Sequence, residues 1–428
     1  MTNRLGRRAA LALPMGLAGT LAAPAIPRAQ SAVEITIHYA QPFIFKASYD
    51  ALIAAFARIE PNIRINTVTT PNYAEGAQLL LRQAATNQLP DLSYQGLNLM
   101  RVFAERQIAQ DVMPFLRREG DPASLGYTDA LLALARMEGF QAGLVYAAST
   151  AITYYNAELV RRAGFDPDNL PADWDGHFRM AAALRDRAGG PDGMWFAWSE
   201  WMFQTLLLSH RGRMMTPDET DVAFDGPEGL ATLRLHERMV TETGMPALNA
   251  NTAQQALFAG RLGAFYWTTA VLRNVIQSVG RSFELRTAVL PVVAGIPNGT
   301  LATGGAAGLL TSRDPARREA AWKFLRFSTS AEGQALMVIN TGYVPCNQIT
   351  VDDPRFLADF YRDNPLFLAA VNQMGRMAPW YAFPGANGVR ITQAITDNTG
   401  RVVERRATPE VALADMAREV RRLLPRRS

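Results

Sequence analysis

Aromatic side chains are the feature of this chain best suited to bind a small molecule. Aromatic rings pack on the apolar C–H face of a sugar, while planar polar groups hydrogen-bond its hydroxyls. Trp198 and Trp201 are three residues apart, so on a helix they would share one face. Large aromatic residues also fill protein cores, and core packing is the alternative interpretation of each. The candidate rings are Trp195, Trp198, Trp201, Trp267, Trp380 and Tyr381.

A few polar positions could complete such a site. Gly304 and Gly305 could bring backbone N–H groups against a ligand, since only glycine permits that approach; a plain tight turn is the alternative. Gln95 could donate to or accept from a hydroxyl, or could be an exposed loop residue. Tyr343 could donate its phenol, or could be a partly buried loop tyrosine.

Sequence patterns of catalysis and cofactor binding are missing. The four histidines are scattered without a pair at metal-ligand spacing, and Cys346 has no histidine nearby. There is no Gly-x-Ser-x-Gly elbow, no Gly-x-Gly-x-x-Gly at the first helix and no phosphate loop with a lysine. We therefore expect no enzyme, metal or cofactor. An exported hydrolase or oxidoreductase is the rival class, and a scaffold or adaptor is a third.

Strands that alternate with helices must position these candidates. Residues 33–39 alternate in period two, a helical pattern follows to Pro61, and the β-α-β-α-β order continues past residue 92. This order predicts a parallel sheet with helices on both faces, and such sheets bind ligands beyond the carboxyl ends of their strands. The loops with Gln41, Tyr73 and Gln95 should therefore face the ligand.

The first 29 residues have the pattern of an export signal. Arg4, Arg7 and Arg8 precede an apolar stretch over 9–23, and small residues lead to an expected cleavage after Ala29. The paired arginines favour the twin-arginine route; the general route, or an amphipathic helix of the mature fold, are the alternatives. The formal charge of +4 comes from arginines of this segment, so the remaining chain is balanced and a nucleic-acid partner is not expected.

Five sequence stretches, in this order and spacing, resemble the extracellular solute-binding proteins of ABC importers, in the group of sugar binders related to maltose-binding proteins. The resemblance covers essentially the whole mature chain. It implies an α/β, two-lobed periplasmic binding protein fold of type II, maltose-binding-protein-like, with a hinge, and delivery to a permease. The stretches are 89–92, 154–165, 171–174, 258–264 and 320–345.

Within that group the C-terminal part looks most like the glycerol-3-phosphate and glycerophosphodiester binders. Two positions depart from that subgroup: Gln95 replaces a glutamate, and Phe383 replaces a phosphate-binding arginine, for which Arg390 is the nearest substitute. An uncharged carbohydrate or polyol is therefore expected first and a phosphorylated polyol second. The resemblance and the aromatic pattern together give the expected ligand-binding residues as Gln41, Tyr73, Gln95, Ser149, Trp198, Trp201, Trp267, Thr269, Gly304, Gly305, Tyr343, Trp380 and Arg390.

About 400 mature residues exceed one ordinary core, which also favours two lobes. We assign residues 33–143 plus 285–313 to lobe 1 and residues 144–284 plus 314–428 to lobe 2, with crossings near 143–148, 283–287 and 311–315. The expected protein is a monomer of the periplasm that closes on a carbohydrate or polyol by hinge motion.

Overall fold

The structure is a computed structural model that describes residues 32–137, 139–187 and 192–425. The expected export signal over residues 1–29 lies outside these ranges. In the part of the chain that is described, no helix combines the length and hydropathy that crossing a bilayer requires.

Twelve strands lie within the described residues. They are β1 (Val33–Ala40), β2 (Ile63–Thr70), β3 (Leu92–Gly96), β4 (Arg136–Met137), β5 (Phe140–Gln141), β6 (Leu144–Ser149), β7 (Ala151–Asn156), β8 (Asp192–Phe196), β9 (Leu262–Thr268), β10 (Leu285–Val289), β11 (Leu301–Leu310) and β12 (Met377–Pro379).

Eighteen α-helices cover the same described ranges. They are α1 (Pro42–Ile59), α2 (Tyr73–Ala85), α3 (Met100–Glu105), α4 (Met113–Glu119), α5 (Asp129–Ala133), α6 (Ala157–Arg162), α7 (Trp174–Arg187), α8 (Glu200–Ser209), α9 (Pro227–Thr241), α10 (Ala250–Phe258), α11 (Leu272–Val279), α12 (Pro315–Ser328), α13 (Ala331–Asn340), α14 (Gln348–Asp352), α15 (Pro354–Asp363), α16 (Leu368–Val371), α17 (Gly388–Val403) and α18 (Pro409–Leu423).

The strands form two main sheets. The larger sheet has the order β12-β11-β3-β1-β2, with β6 also paired to β11. In it β1 runs parallel to β2 and β3, as the alternation of strands and helices predicts, whereas β11 runs antiparallel to β3 and β6. The smaller sheet has the order β10-β7-β9-β8. The chain is thus a mixed α/β protein built on two separate sheets.

Each sheet has its own hydrophobic core. The larger sheet packs with α1, α12 and α13 around buried rings such as Tyr94, Tyr146 and Trp322. The smaller sheet has a second core, which contains Trp174 and Trp195. Helices α8, α9, α17 and α18 pack together in a further apolar cluster. Two cores on two sheets define two lobes, and we call them the larger-sheet lobe and the smaller-sheet lobe.

Sheet membership corrects the lobe boundaries expected from sequence. Strand β6 falls in the range assigned to lobe 2, but it pairs with β11 of the larger sheet. Strand β10 falls in the range assigned to lobe 1, but it pairs with β7 of the smaller sheet. Helices α12 and α13, assigned to lobe 2, pack against β1 and α1 of the larger-sheet lobe. Local periodicity identifies a strand but carries no information about its distant pairing partner.

The chain passes between the two sheets at short segments. Strand β6 leads into β7 through Thr150 alone, and residues 290–300 connect β10 to β11. The first crossing lies just after the expected 143–148, and the second lies beyond the expected 283–287. The expected crossing at 311–315 leads instead into α12, which stays on the larger sheet.

Candidate ligand-binding site

A cavity of about 340 Å³ lies where the two lobes meet. The larger-sheet lobe contributes Gln41, Tyr73, Ser149, Gly304, Gly305 and Tyr343, and the smaller-sheet lobe contributes Trp267 and the start of α10. Helices α8 and α17 complete the lining. Gln41 and Tyr73 follow β1 and β2, whereas Ser149, Trp267, Gly304 and Gly305 lie within strands. The full lining is Gln41, Phe43, Ile44, Tyr73, Ser149, Ser199, Glu200, Trp201, Ala250, Asn251, Gln254, Trp267, Thr268, Ala270, Val271, Gly304, Gly305, Tyr343, Trp380, Thr392 and Thr396.

Three tryptophans form one aromatic wall of the cavity. The ring of Trp201 lies 5.8 Å from that of Trp267, at 73°, and 6.2 Å from that of Trp380, at 54°. The Trp201 indole N–H donates to the carbonyl oxygen of Ala302, at 3.0 Å. This hydrogen bond and the edge contacts fix the central ring, and such a wall can pack on the apolar face of a ligand.

Two tyrosines from the larger-sheet lobe lie on the other side. Tyr343 is 3% exposed, and its ring stacks on Phe45 with centroids 5.0 Å apart. Burial raises the pKa of both Tyr73 and Tyr343, so both phenols keep their protons at neutral pH. Tyr343 donates to Tyr73, so the Tyr73 phenol is the one that can donate to a ligand hydroxyl.

Glu200 is the acidic residue of the described cavity lining. It is 1% exposed and stands in the first turn of α8, where Ser199 caps the helix by accepting from the N–H of Met202 at 3.3 Å. Its Oε2 accepts from the indole N–H of Trp380 at 3.0 Å, and its Oε1 accepts from the amide of Gln204. Burial raises the pKa of Glu200 to about 7, against the two hydrogen bonds that lower it.

The described lining contains no arginine or lysine. The hydrogen-bonding groups that it offers are hydroxyls, amides, indole N–H groups and backbone, besides the carboxyl of Glu200. A phosphate monoester or diester usually binds arginine, lysine or a helix N-terminus with free N–H groups. Of these groups the described lining offers the starts of α8 and α10, and the carboxyl of Glu200 stands at the first of them. The cavity is therefore better suited to hydroxyl-bearing ligands than to phosphate.

The rim of the cavity carries an exposed ring. Phe43 is 72% exposed and stands in the first turn of α1. The preceding Gln41 has a left-handed backbone, with φ of 57°, which turns the chain sharply from β1 into the helix. Asn251 and Gln254 of α10 also belong to the lining and come from the other lobe.

Nine of the thirteen residues expected from sequence line this cavity. The structure therefore brings together residues from strands, loops and helix starts as far apart in sequence as Gln41 and Trp380. Their roles in binding stay predictions. The nine are Gln41, Tyr73, Ser149, Trp201, Trp267, Gly304, Gly305, Tyr343 and Trp380.

Trp198 does not line the cavity. Helix α8 begins at Glu200, so Trp198 precedes the helix and does not share a face with Trp201. Its ring lies 6.1 Å from that of Trp195 in the smaller-sheet core. The spacing argument fails because Ser199 caps the helix between the two tryptophans.

Gln95 and Thr269 are buried and do not belong to the cavity lining. Gln95 lies inside β3, fully buried, and its amide donates to Ser93 Oγ at 2.9 Å. The same cluster includes His38, whose pKa burial lowers to about 4. Thr269 is fully buried, and its N–H donates to the carbonyl of Thr150 at 3.0 Å.

Arg390 is exposed near the start of α17 and is absent from the cavity lining. It therefore does not replace the missing phosphate-binding arginine. Phe383 is 3% exposed and packs in the helical cluster, with its ring 5.1 Å from that of Tyr381. The position thus has a packing role in this chain.

Gly304 and Gly305 are strand residues of β11 rather than a turn. They pair with Ser149 and Ala148 of β6. A Cβ on Gly304 would lie 3.1 Å from the Trp201 ring and 2.8 Å from Ser149 Oγ. Gly305 has φ of +138°, and a Cβ there would lie 1.9 Å from the carbonyl oxygen of Ala147. Gly304 thus lets β11 approach the Trp201 ring, and Gly305 lets it approach the backbone of β6.

Several lining residues were not anticipated from sequence. Glu200 stands directly before Trp201 in the sequence. A carboxylate next to a candidate ligand-binding ring could have indicated that Glu200 also lines the site. Asn251 and Gln254 are three apart at a helix start, which is another usable polar pattern. No sequence pattern indicates that Thr392 and Thr396 of α17 line the cavity, because no residue near them in sequence shows where α17 packs. In the described ranges no group of three or more His, Cys, Asp or Glu residues could hold a metal ion.

A polar and aromatic cavity between two α/β lobes defines a two-lobed solute-binding protein, the class that serves ABC importers. The profile of the family described as bacterial extracellular solute-binding protein matches residues 51–368. The chain belongs to this family.

Curated relatives agree with this class. A binding protein of Brucella abortus strain 2308 is 23% identical over 316 residues, which are 70% of this chain and 72% of the relative. The sn-glycerol-3-phosphate-binding periplasmic protein UgpB of Salmonella typhimurium is 22% identical over 367 residues, 80% of each chain.

Solved structures confirm the fold. UgpB from Mycobacterium tuberculosis, in complex with glycerophosphocholine, has a TM-score of 0.80 at 22% identity and covers 91% of this chain and 98% of its own. The GacH receptor of Streptomyces glaucescens, solved unliganded and with acarbose, has a TM-score of 0.79 at 19% identity and covers 92% and 98%. The predicted type II, maltose-binding-protein-like fold is confirmed.

Proposed function

We propose that this protein is the periplasmic substrate-binding component of an ABC importer, and that it captures a carbohydrate or polyol between its lobes. The observation that carries the proposal is the cavity itself, with its wall of Trp201, Trp267 and Trp380 and its hydroxyl and amide groups. Rings stack on the C–H faces of a sugar, and these polar groups satisfy its hydroxyls. Contacts from both lobes would favour the closed form, which delivers the ligand to a permease.

A glycerol-3-phosphate or glycerophosphodiester ligand is the second candidate. It is favoured by two UgpB relatives reported above, one named for binding sn-glycerol 3-phosphate and one solved in complex with glycerophosphocholine. The described lining argues against it, because it supplies no arginine or lysine to a phosphate and includes Glu200.

Further parts of the proposal concern activity, assembly and export. The protein acts as a monomer and without catalysis, in keeping with a family of binding proteins. It reaches the periplasm by a signal cleaved after Ala29. N-terminal sequencing of the exported protein tests the cleavage, and an intact Met1 in the periplasm would contradict it.

A thermal-shift panel tests the binding function. The panel contains mono- and oligosaccharides, polyols, glycerol 3-phosphate and glycerophosphocholine, each followed by product analysis. A ligand at a hundred times its dissociation constant should stabilise the protein by about 2.7 kcal/mol without product. The Trp267→Ala variant should lose most of this shift, while Trp198→Ala, outside the lining, should keep it. Turnover of a panel compound, or equal loss in both variants, would reject the proposal.

A further inference from the structure

The carboxyl group of Glu200 has no charged partner within the described part of the chain. It is 1% exposed, and none of the ion pairs between described residues includes it. A carboxylate taken out of water without an opposite charge is unfavourable unless it is protonated or a cation approaches it. Because Glu200 lines the cavity, a ligand can supply that cation.

The groups that bind Glu200 inside the protein are neutral. They are the indole N–H of Trp380, at 3.0 Å from Oε2, and the amide of Gln204 on Oε1. These donors orient the carboxyl but bring no positive charge, and each carboxylate oxygen can accept a further hydrogen bond. The raised pKa, about 7, has burial as its main cause, which agrees with a missing counter-charge.

The carboxyl of Glu200 adjoins the aromatic wall of the cavity. Trp380 donates to Glu200 and lies 6.2 Å from Trp201, whose ring lies 5.8 Å from Trp267. The face of an indole attracts an alkylammonium group, and the attraction grows where water is excluded. A carboxylate together with indole faces is the combination that recognises a cationic nitrogen on a small ligand.

We propose that the ligand of this cavity carries a positively charged nitrogen beside its hydroxyls, as an amino sugar or a hydroxylated alkylammonium does, and that Glu200 is the residue that selects for it. The inference rests on the proposed function and narrows its ligand class. The alternative is that Glu200 accepts a hydrogen bond from a neutral hydroxyl. In that case the neutral members of the ligand pairs below should bind as tightly as the charged members or more tightly.

Matched ligand pairs test this inference by calorimetry on the purified full chain at about pH 7, where an amino sugar is largely protonated and Glu200 is partly ionised. One pair is D-glucosamine and D-glucose; the other is choline and its neutral isostere 3,3-dimethyl-1-butanol. In the wild type the charged member of at least one pair should bind about tenfold more tightly or better. The two pairs distinguish an amino sugar from a quaternary ammonium ligand. Glu200→Gln should bring the ratio of the two dissociation constants in that pair toward one. Glu228→Gln makes the same change of charge in the first turn of α9, on an exposed residue outside the lining, and should preserve the ratio.

The comparison of charged and neutral ligands on the wild type tests the proposal even if Glu200→Gln does not fold. Equal or tighter binding of the neutral members, or of neutral sugars from the thermal-shift panel, overturns the cationic ligand and leaves the binding function standing. Retention of the charge preference in folded Glu200→Gln overturns the role of Glu200. If no compound of the panel or of the two pairs binds, the proposed function fails and this inference fails with it.

Discussion

At the scale of single residues, Glu200 links the stability of the fold to pH. Its pKa is about 7 in the folded chain and 4.5 when the side chain is free in water. A folded-state pKa above the unfolded one means that the folded protein binds the proton more strongly. The contribution of Glu200 to the free energy of unfolding is therefore complete below about pH 4.5, where the carboxyl is protonated in both states. This contribution is lost as the pH rises to about 7.

Replacing Glu200 by glutamine should remove this dependence, because an amide does not ionise. The free energy of unfolding of the wild type, relative to Glu200→Gln, should fall by up to about 3 kcal/mol between pH 4.5 and pH 7 and then stay constant. Urea unfolding of the ligand-free proteins across this range measures the difference. Glu228→Gln serves as the control, since its exposed carboxyl loses little solvation on folding. A wild-type to Glu200→Gln difference that is flat with pH would contradict the buried, unpaired carboxyl.

At the scale of elements, strand β11 connects the fold to the site. It is the partner of β3, β6 and β12, and it carries Gly304 and Gly305 past the ring of Trp201. Trp201 in turn donates to the carbonyl of Ala302 in the same strand. The position of the central ring of the aromatic wall therefore depends on the backbone of one strand and on the absence of a side chain at residue 304.

The Gly304→Ala variant should displace this ring. The added Cβ would lie 3.1 Å from the Trp201 ring and 2.8 Å from Ser149 Oγ, so one of them has to move. We expect a loss of about 1–3 kcal/mol of stability, typical of overpacking, and about tenfold weaker binding of the best ligand from the panel. Melting temperature and calorimetry measure the two effects. Gly375→Ala, where the Cβ meets nothing within 4 Å, should change neither; unchanged binding in Gly304→Ala would show that the ring tolerates the methyl group.

The first elements were predictable from sequence because their signals are local. Alternation over residues 33–39 gave β1, helical spacing gave α1, and their order implied a parallel sheet, all of which the structure confirms. The lobe assignment of β6, β10 and α12 was wrong because it depends on pairing between residues far apart in sequence. Ala306 of β11, for example, pairs with both Gly96 and Ala147.

The lining of the cavity was predictable where a residue follows a strand or matches the family pattern. Tyr73 and Trp267 are of this kind, and both line the cavity. The expectation that Trp198 shares a helix face with Trp201 was wrong, because the Ser199 cap starts the helix after Trp198. Trp201 therefore lines the cavity and Trp198 does not. Thr396 could not be anticipated, since α17 reaches the cavity only through its packing with α8.

At the scale of the whole molecule, two lobes with separate cores meet around one cavity. The passage from β6 to β7 is a single residue, Thr150, and residues 290–300 form the passage from β10 to β11. Short crossings let two rigid lobes rotate with few backbone changes. A ligand that contacts both lobes shifts the population to the closed form only by its difference in affinity for the two forms.

Ligand binding should therefore make the protein more compact. Small-angle X-ray scattering on the wild type should give a smaller radius of gyration with saturating ligand than without it, because closure reduces the space between the lobes. The Trp267→Ala variant at the same ligand concentration should stay near the unliganded value. An unchanged radius in a wild type that calorimetry shows to be saturated would mean that binding does not close the lobes.

The long-range pairing of β11 also has a consequence for synthesis. Until residues 301–310 leave the ribosome, β3 lacks its second neighbour and presents an open edge. At ordinary translation rates, this edge stays open for on the order of tens of seconds after β3 emerges. Open strand edges are templates for aggregation. We therefore expect a message truncated before residue 301 to yield an aggregation-prone fragment rather than a stable lobe.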